Sequence, residues 1–451
     1  MEYLINDETT AANPLGGTHS AKIDYLIDDK PPITSKTFLF LMALGLLIKL
    51  ALMPVGCHID MLSNVWVPYK IAYTDEKFHL ADPIAKEHIL PQLTVVPYYK
   101  LIKPFLYPAL KETWGNDYQF TFDNAAWLKY SKNNYVFRIN FLTKLPFLFF
   151  DLLALFFFMK LFSSIRSKQI AGLMWMLNPL SFYVVYLFGR FETYAAFFII
   201  LSFYFAKKEK NCLSCISIGI AAAFRYYPVI LFPAYIIFFS KTIRDYLKYS
   251  VLCLIPILLS NLIWLIPFIT DPNYSLSFKT TSFGKVTSDE HGDFLLSFKI
   301  NQTYIFILFY LIFLLKFYYD KNKKFSALIF NLFIIHLIFY AFVKSEPQYF
   351  FWCSYYVIFF FIYDGVKKHL PILLISLLVY FAYLLVWGGD ANTLLFMPIA
   401  PDLIYGLPGS RKIIRMFANF DVFRDLIKTA ISAIAIFYAV YIINVKKKYE
   451  Q

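Results

Sequence analysis

Apolar runs of the length that spans a bilayer, about 20 residues, recur along this chain from Thr37 to Val445, separated by short polar stretches. None shows the strict alternation of a lipid-facing barrel strand, so the runs predict α-helices. The expected spans are approximately 37–56, 138–162, 169–188, 191–206, 211–225, 226–240, 248–270, 302–319, 325–343, 349–363, 370–387 and 427–445, about twelve helices by length. The tight pairs around Gly189 and Tyr227 are candidate broken or re-entrant helices. The fold expected is therefore an all-α polytopic membrane protein.

Charge decides the orientation. Lys and Arg collect in short loops at Ser163 to Gln169, Lys207 to Lys210, Lys241 to Lys248, Lys321 to Lys324 and Val366 to His369, and in the tail Lys446 to Lys448. The positive-inside rule places these at the cytoplasm. Both termini then lie inside, 1–36 as a polar tail that lacks the pattern of a cleaved signal peptide and 446–451 as a short tail. The transmembrane domain is 37–445, with outer loops at 56–137, 271–301 and 388–426. The first loop carries amphipathic, Pro-interrupted pieces such as Leu90 to Leu110, expected as helices on the membrane surface.

Composition sharpens this picture. Of 451 residues 59% are hydrophobic, 21% aromatic and only 16% charged, against about 25% charged in a soluble domain. The net charge of +13 follows from the loop distribution and does not indicate nucleic acid. Five scattered cysteines argue against a disulfide framework, and Cys212-x-x-Cys215, with no second pair and no nearby His, reads as packing. Walker-type, H-E-x-x-H and G-x-S-x-G motifs are absent from the sequence, which removes the handles for nucleotide hydrolysis, zinc proteolysis and α/β-hydrolase chemistry. Asn273-Tyr274-Ser275 and Asn301-Gln302-Thr303 match the glycosylation acceptor pattern and matter only in a eukaryotic secretory membrane.

Ionisable residues at the membrane edge are costly unless paired or used, so they are the candidates for chemistry. Four clusters stand out on the outer side. Gly56-Cys57-His58-Ile59-Asp60 follows the first span, where Asp60 is either a general base for an acceptor hydroxyl or a helix cap. Gly189-Arg190-Phe191-Glu192 offers Arg190 for a phosphate and Glu192 for a sugar hydroxyl, or simply an ion pair. Arg225-Tyr226-Tyr227-Pro228 offers a guanidinium for a lipid phosphate, with snorkelling to headgroups as the alternative. Lys344-Ser345-Glu346-Pro347-Gln348-Tyr349 offers Lys344 as a point charge and Gln348 and Tyr349 as donors, or a plain interfacial belt. Asp151, inside the apolar run Leu145 to Met159, is expected to have a structural interhelical partner.

The order of these clusters resembles the C-type (GT-C) glycosyltransferase superfamily, membrane enzymes that draw sugar from a polyprenyl-phosphate donor. The likeness rests on Lys144-Leu145-Pro146-Phe147 through Asp151-Leu152-Leu153, then Met176-Leu177-Asn178-Pro179-Leu180, Gly189-Arg190-Phe191-Glu192, Arg225-Tyr226-Tyr227-Pro228 and Gln348-Tyr349-Phe350-Phe351-Trp352. It is closest to bacterial polyprenol-phosphate-mannose-dependent mannosyltransferase-like proteins and fainter to the catalytic subunit of the first glycosylphosphatidylinositol mannosyltransferase. The resemblance implies a catalytic carboxylate just past the first helix, which maps onto Asp60. His58, Arg190, Glu192, Arg225, Lys344, Gln348 and Tyr349, the other polar groups of these membrane-edge clusters, are the expected substrate-binding residues. Two departures are His58 where relatives often carry an acidic pair, and Glu192 where an Asp commonly follows the Gly-x-Phe turn. The expected reaction is inverting transfer of a hexose, mannose foremost, to a lipid or glycan acceptor at the extracytoplasmic face, with no cofactor and no metal. The compartment expected is a bacterial cytoplasmic membrane, with the endoplasmic reticulum as the alternative. A lipid-linked sugar flippase and a non-catalytic membrane scaffold are the rival readings.

Overall fold

The computed structural model describes residues 33–73, 89–114, 124–262, 293–320, 324–343, 346–387 and 394–450. Among them every regular element is helical. The first span is α1 (Ser35–Val55), begun by Thr34, whose hydroxyl accepts from the Thr37 backbone N–H. The first loop contributes α2 (Ile59–Tyr73), α3 (Ile89–Leu101), α4 (Lys103–Trp114) and α5 (Asn124–Ser131). Then follow α6 (Val136–Met159), α7 (Ile165–Met176), the single turn α8 (Pro179–Ser181), a π turn over Phe182–Leu187, α9 (Glu192–Lys207) and α10 (Asn211–Phe224). A 3-10 turn (Tyr227–Leu231) leads into α11 (Phe232–Phe239), α12 (Ile243–Leu262), α13 (Asp293–Tyr319) and α14 (Phe325–Phe342). A second 3-10 turn (Pro347–Cys353) precedes α15 (Ser354–Asp364), α16 (Val366–Val386), α17 (Pro401–Tyr405), α18 (Ser410–Arg415) and α19 (Phe420–Glu450).

Seven helical segments among the described residues are long and apolar enough to cross a membrane: Ser35–Val55, Val136–Met159, Ile165–Leu187, Ile243–Leu262, Phe325–Phe342, Val366–Val386 and Phe420–Val445. They make this a multi-pass integral membrane protein. About twelve spans were expected, and among the described residues seven have that length. Of the others, 302–319 falls within the 27-residue α13, and the rest fall on shorter or broken helices, where Gly189 turns the chain at φ +83° and prolines at 228 and 347 open 3-10 turns. Helix ends also move: α12 begins at Ile243, α13 at Asp293 and α19 at Phe420, each before the expected start. Most of 271–301, and all of 1–32, lie outside the described residues.

Burial separates centre from periphery. The apolar window of α14 is 72% buried whereas those of α1 and α12 are only 17% buried. Leu39, Phe40 and Leu47 on α1, Leu258 on α12 and Leu378 on α16 stay exposed, an apolar surface that suits lipid and would be costly in water. Packing runs from α1 to α6, α9, α10 and α12, while α19 lies on α14 and α16.

Buried charge joins the first helices. Asp151 of α6 meets Lys49 of α1 at 2.6 Å, both fully buried. The Trp175 indole N–H donates to its Oδ1 at 3.0 Å and the Tyr186 hydroxyl to its Oδ2 at 2.6 Å. Asp151 therefore has the interhelical partner expected of it, and its oxygens are satisfied inside the helix packing. At the opposite end from the Lys-rich loops, the segments 56–137 and 388–426 touch one another: the Cys57 N–H donates to the Leu395 carbonyl at 2.9 Å, and Lys132 pairs with Asp402 at 2.5 Å.

Candidate active site

Four chain segments converge where α1, the π turn and α10 end and where α9 and the second 3-10 turn begin. The first brings Asp60. The chain leaves α1 at Gly56 and starts α2 at Ile59, one residue before Asp60, and the His58 Nδ1 accepts the Asp60 backbone N–H at 3.1 Å. His58 thereby serves as a side-chain cap, with its ring stacked on Phe188 at 3.7 Å and edge-on to Trp127 at 5.5 Å. Burial pushes the His58 imidazole down to about 4, against the pull of the Asp60 carboxylate. A neutral ring accepting at Nδ1 is the consistent state.

The second segment is set by the π turn. Its wide backbone pattern (Phe188 N–H to Tyr183 carbonyl, 2.8 Å; Arg190 N–H to Val184 carbonyl, 3.1 Å) brings Gly189 into the left-handed region, where only glycine sits without strain. A Cβ there would also lie 2.6 Å from the Met61 sulfur. Arg190 emerges from this turn and donates through Nη1 to the Asp60 Oδ2 at 2.6 Å. Its Nε lies 3.7 Å from the Glu192 Oε1. So the Asp60 carboxylate, a third exposed (32%), lies against a guanidinium that is largely buried (13%). Burial pushes the Asp60 carboxyl up, but Arg190, His58 and Arg225 together pull it below its ordinary value.

Glu192, fully buried at the start of α9, is the hub. Arg225, the residue that ends α10 in an extended conformation, donates to its Oε1. The Trp352 indole N–H donates to its Oε2 at 2.8 Å. Trp352 is in turn sandwiched, 3.7 Å from the Tyr227 ring and 4.2 Å from Tyr349, and the Arg225 guanidinium lies 4.4 Å over Phe191. Both Glu192 oxygens are thus held by protein donors.

The chain matches no protein-family model, no curated protein and no solved structure.

The last segment carries Gln348 and Tyr349 on the 3-10 turn. Gln348 is buried; its amide donates to the Glu346 carboxylate, and its Oε1 has no hydrogen-bond partner among the described residues. The Tyr349 carbonyl accepts from the Tyr340 hydroxyl. Lys344 lies outside the described residues. Glu346 is a site residue that the sequence clusters contained without a role. Burial raises its carboxyl above the ordinary value, although Arg190 pulls the other way and Asp60 adds to the rise. Trp352 was visible only as part of an aromatic run, and nothing local marks it as the donor to a carboxylate 160 positions earlier. Among the described residues no cluster of three His, Cys, Asp or Glu groups has the arrangement of a metal site.

Proposed function

We propose that this protein is a membrane glycosyltransferase that moves a hexose, mannose foremost, from a polyprenyl-phosphate donor to a lipid or glycan acceptor at the extracytoplasmic face. The observation that carries the reading is the meeting of Asp60 with Arg190, and of Glu192 with Arg225, from three separate segments at one end of the helices. That end is opposite the Lys-rich loops, and on the positive-inside rule it faces outward. The C-type architecture, with about twelve passes counting the short and broken helices, and a bacterial cytoplasmic membrane complete the proposal.

In this mechanism the ionised Asp60 takes the proton of the acceptor hydroxyl as that oxygen attacks the anomeric carbon from the face opposite the phosphate. The sugar–oxygen bond to the phosphate breaks, inverting the centre, and the polyprenyl phosphate leaves with the electron pair. Arg190 stands between the two roles, 2.6 Å from the base and able to turn its remaining N–H groups to a phosphate. Glu192, itself held by the Trp352 indole N–H, holds Arg225 beside it. Gln348 offers an unmet carbonyl to a substrate hydroxyl. A donor with a single phosphate is met by these cations, so transfer is expected to continue unchanged in excess EDTA; loss of activity restored by a divalent ion would reject this part of the mechanism.

The test is transfer of labelled sugar from polyprenyl-phosphate-mannose, and in parallel polyprenyl-phosphate-glucose, to a lipid extract by purified protein. Asp60→Asn is expected to cut product by about 10²- to 10⁴-fold while folding normally, whereas equal product from the two would move the base elsewhere. A lipid-linked sugar flippase is the second reading, favoured by the buried Lys49–Asp151 pair, since charges inside spans often line transport paths. Translocation without transfer in the same vesicles would bring it forward.

A further inference from the structure

Lys144 is fully buried on α6, and its ammonium is surrounded by backbone carbonyls. It donates to Met53 O at 3.0 Å, Gly56 O at 2.6 Å, Tyr186 O at 2.7 Å and Leu187 O at 3.3 Å. The first two belong to the end of α1 and the last two to the end of the π turn. Helix C-termini leave carbonyls without partners and carry partial negative charge; one ammonium, with three protons, meets both ends at once. The two ends touch directly as well. A Cβ on Gly56 would lie 2.6 Å from the Leu187 Cα and from its carbonyl oxygen, and one on Gly189 would lie 3.1 Å from the Lys144 Cε. Asp60 follows Gly56 by four residues, and Arg190 follows Leu187 by three.

We propose that Lys144 is a positioning residue of the candidate site, pinning the end of α1 to the π turn so that Asp60 and Arg190 meet in register. The proposal rests on the reading of Asp60 as the base, yet it concerns a geometry that exists with or without transfer. A buried cation whose hydrogen bonds all go to the two turns that precede the site has its effect there. Loosening those turns separates a carboxylate from its guanidinium, and a displacement of about 1 Å costs about 10²-fold in rate.

The experiment is an infrared titration of the detergent-purified protein, with Asp60→Asn as the subtraction that isolates the Asp60 carboxylate. The groups around that carboxylate are His58 before α2, Tyr183 and Arg190 of the π turn region, Arg225 ending α10 and Glu346 before the second 3-10 turn. In the unaltered protein Asp60 is expected to protonate below the ordinary aspartate range. Lys144→Met is expected to move that titration up by about one pH unit, with Lys144→Arg, which keeps the charge and the donors, staying near the unaltered value. A monodisperse Lys144→Met protein in which Asp60 titrates as before overturns the proposal. Should Lys144→Met not fold, Gly56→Ala displaces the same two turns with Lys144 intact, and the same upward shift supports the proposal while an unmoved titration overturns it. Sugar transfer, measured alongside, is expected to fall about 10²-fold in Lys144→Met. Absence of transfer in the unaltered protein would defeat the proposed activity and leave the titration result standing.

Discussion

Asp60 reaches its place at the front of α2, where the helix dipole already favours a negative charge, and the guanidinium 2.6 Å away strengthens that preference. The sign of the consequence follows. A carboxylate held below its ordinary value stays ionised to lower pH, so activity that needs the ionised form persists on acidification and is lost only as pH falls through the lowered value. Removing the cation by Arg190→Gln is expected to move the acid limb of kcat/KM upward by about 1–2 pH units, along with weaker donor binding. An acid limb that stays put in a folded variant would mean that Asp60 is not the titrating base. The role expected for Glu192 reads differently once its surroundings are known: with Arg225 on one oxygen and Trp352 on the other, its reach to a sugar hydroxyl runs through the cations that it orients.

Among the helices, the joint of α1, α6 and the π turn is stitched by two lysines of different kinds. Lys144 meets carbonyls, whereas Lys49 meets a carboxylate that also accepts from Trp175 and Tyr186. Breaking a buried pair by removing one partner leaves an uncompensated charge and costs about 3–5 kcal/mol, while replacing both by apolar groups is often neutral. Lys49→Met is therefore expected to lower the thermal unfolding midpoint sharply, and the double variant Lys49→Met/Asp151→Leu to recover most of the loss. If the double variant recovers stability but loses function, the pair takes part in transport or chemistry. The π turn belongs to the same joint. An ordinary α-helix continued past Tyr183 would present Arg190 at another angle; the wider turn and Gly189 at φ +83° direct it toward α2.

For the molecule as a whole, the side of the membrane that holds the site decides which donors can reach it. Asp402 is exposed and tied through Lys132 to the first loop, on the same end as Asp60, and Lys208 follows the last turn of α9 at the other end. Single cysteines at these two positions in a cysteine-free background are expected to label oppositely with an impermeant maleimide, position 402 from outside and position 208 only after the membrane is opened. The reverse pattern would place the site at the cytoplasm and overturn the polyprenyl-phosphate donor, because soluble sugar nucleotides would then have access.

Much of this protein is legible along the chain because lipid imposes a strict rule: an apolar run in a membrane must satisfy its own backbone, and helices do so. Runs such as Leu39 to Leu52 and Phe325 to Phe342 therefore declare themselves, and the membrane-edge charges Asp60, Arg190, Glu192 and Arg225, with the polar Gln348 and Tyr349, stand out against the apolar background. The lengths of individual spans were less legible, since a π turn, a glycine at positive φ and 3-10 turns at proline shorten helices without interrupting hydropathy. That Asp151 needs a partner was legible, but which residue meets which was not. Asp60 meets Arg190 across 130 positions, Trp352 meets Glu192 across 160, and Lys144 reaches back 88 positions to Gly56. Those pairings depend on how each helix is rotated about its axis and on where its end falls against its neighbour, and both are settled by close packing between helices, which no local pattern of apolar and polar residues records.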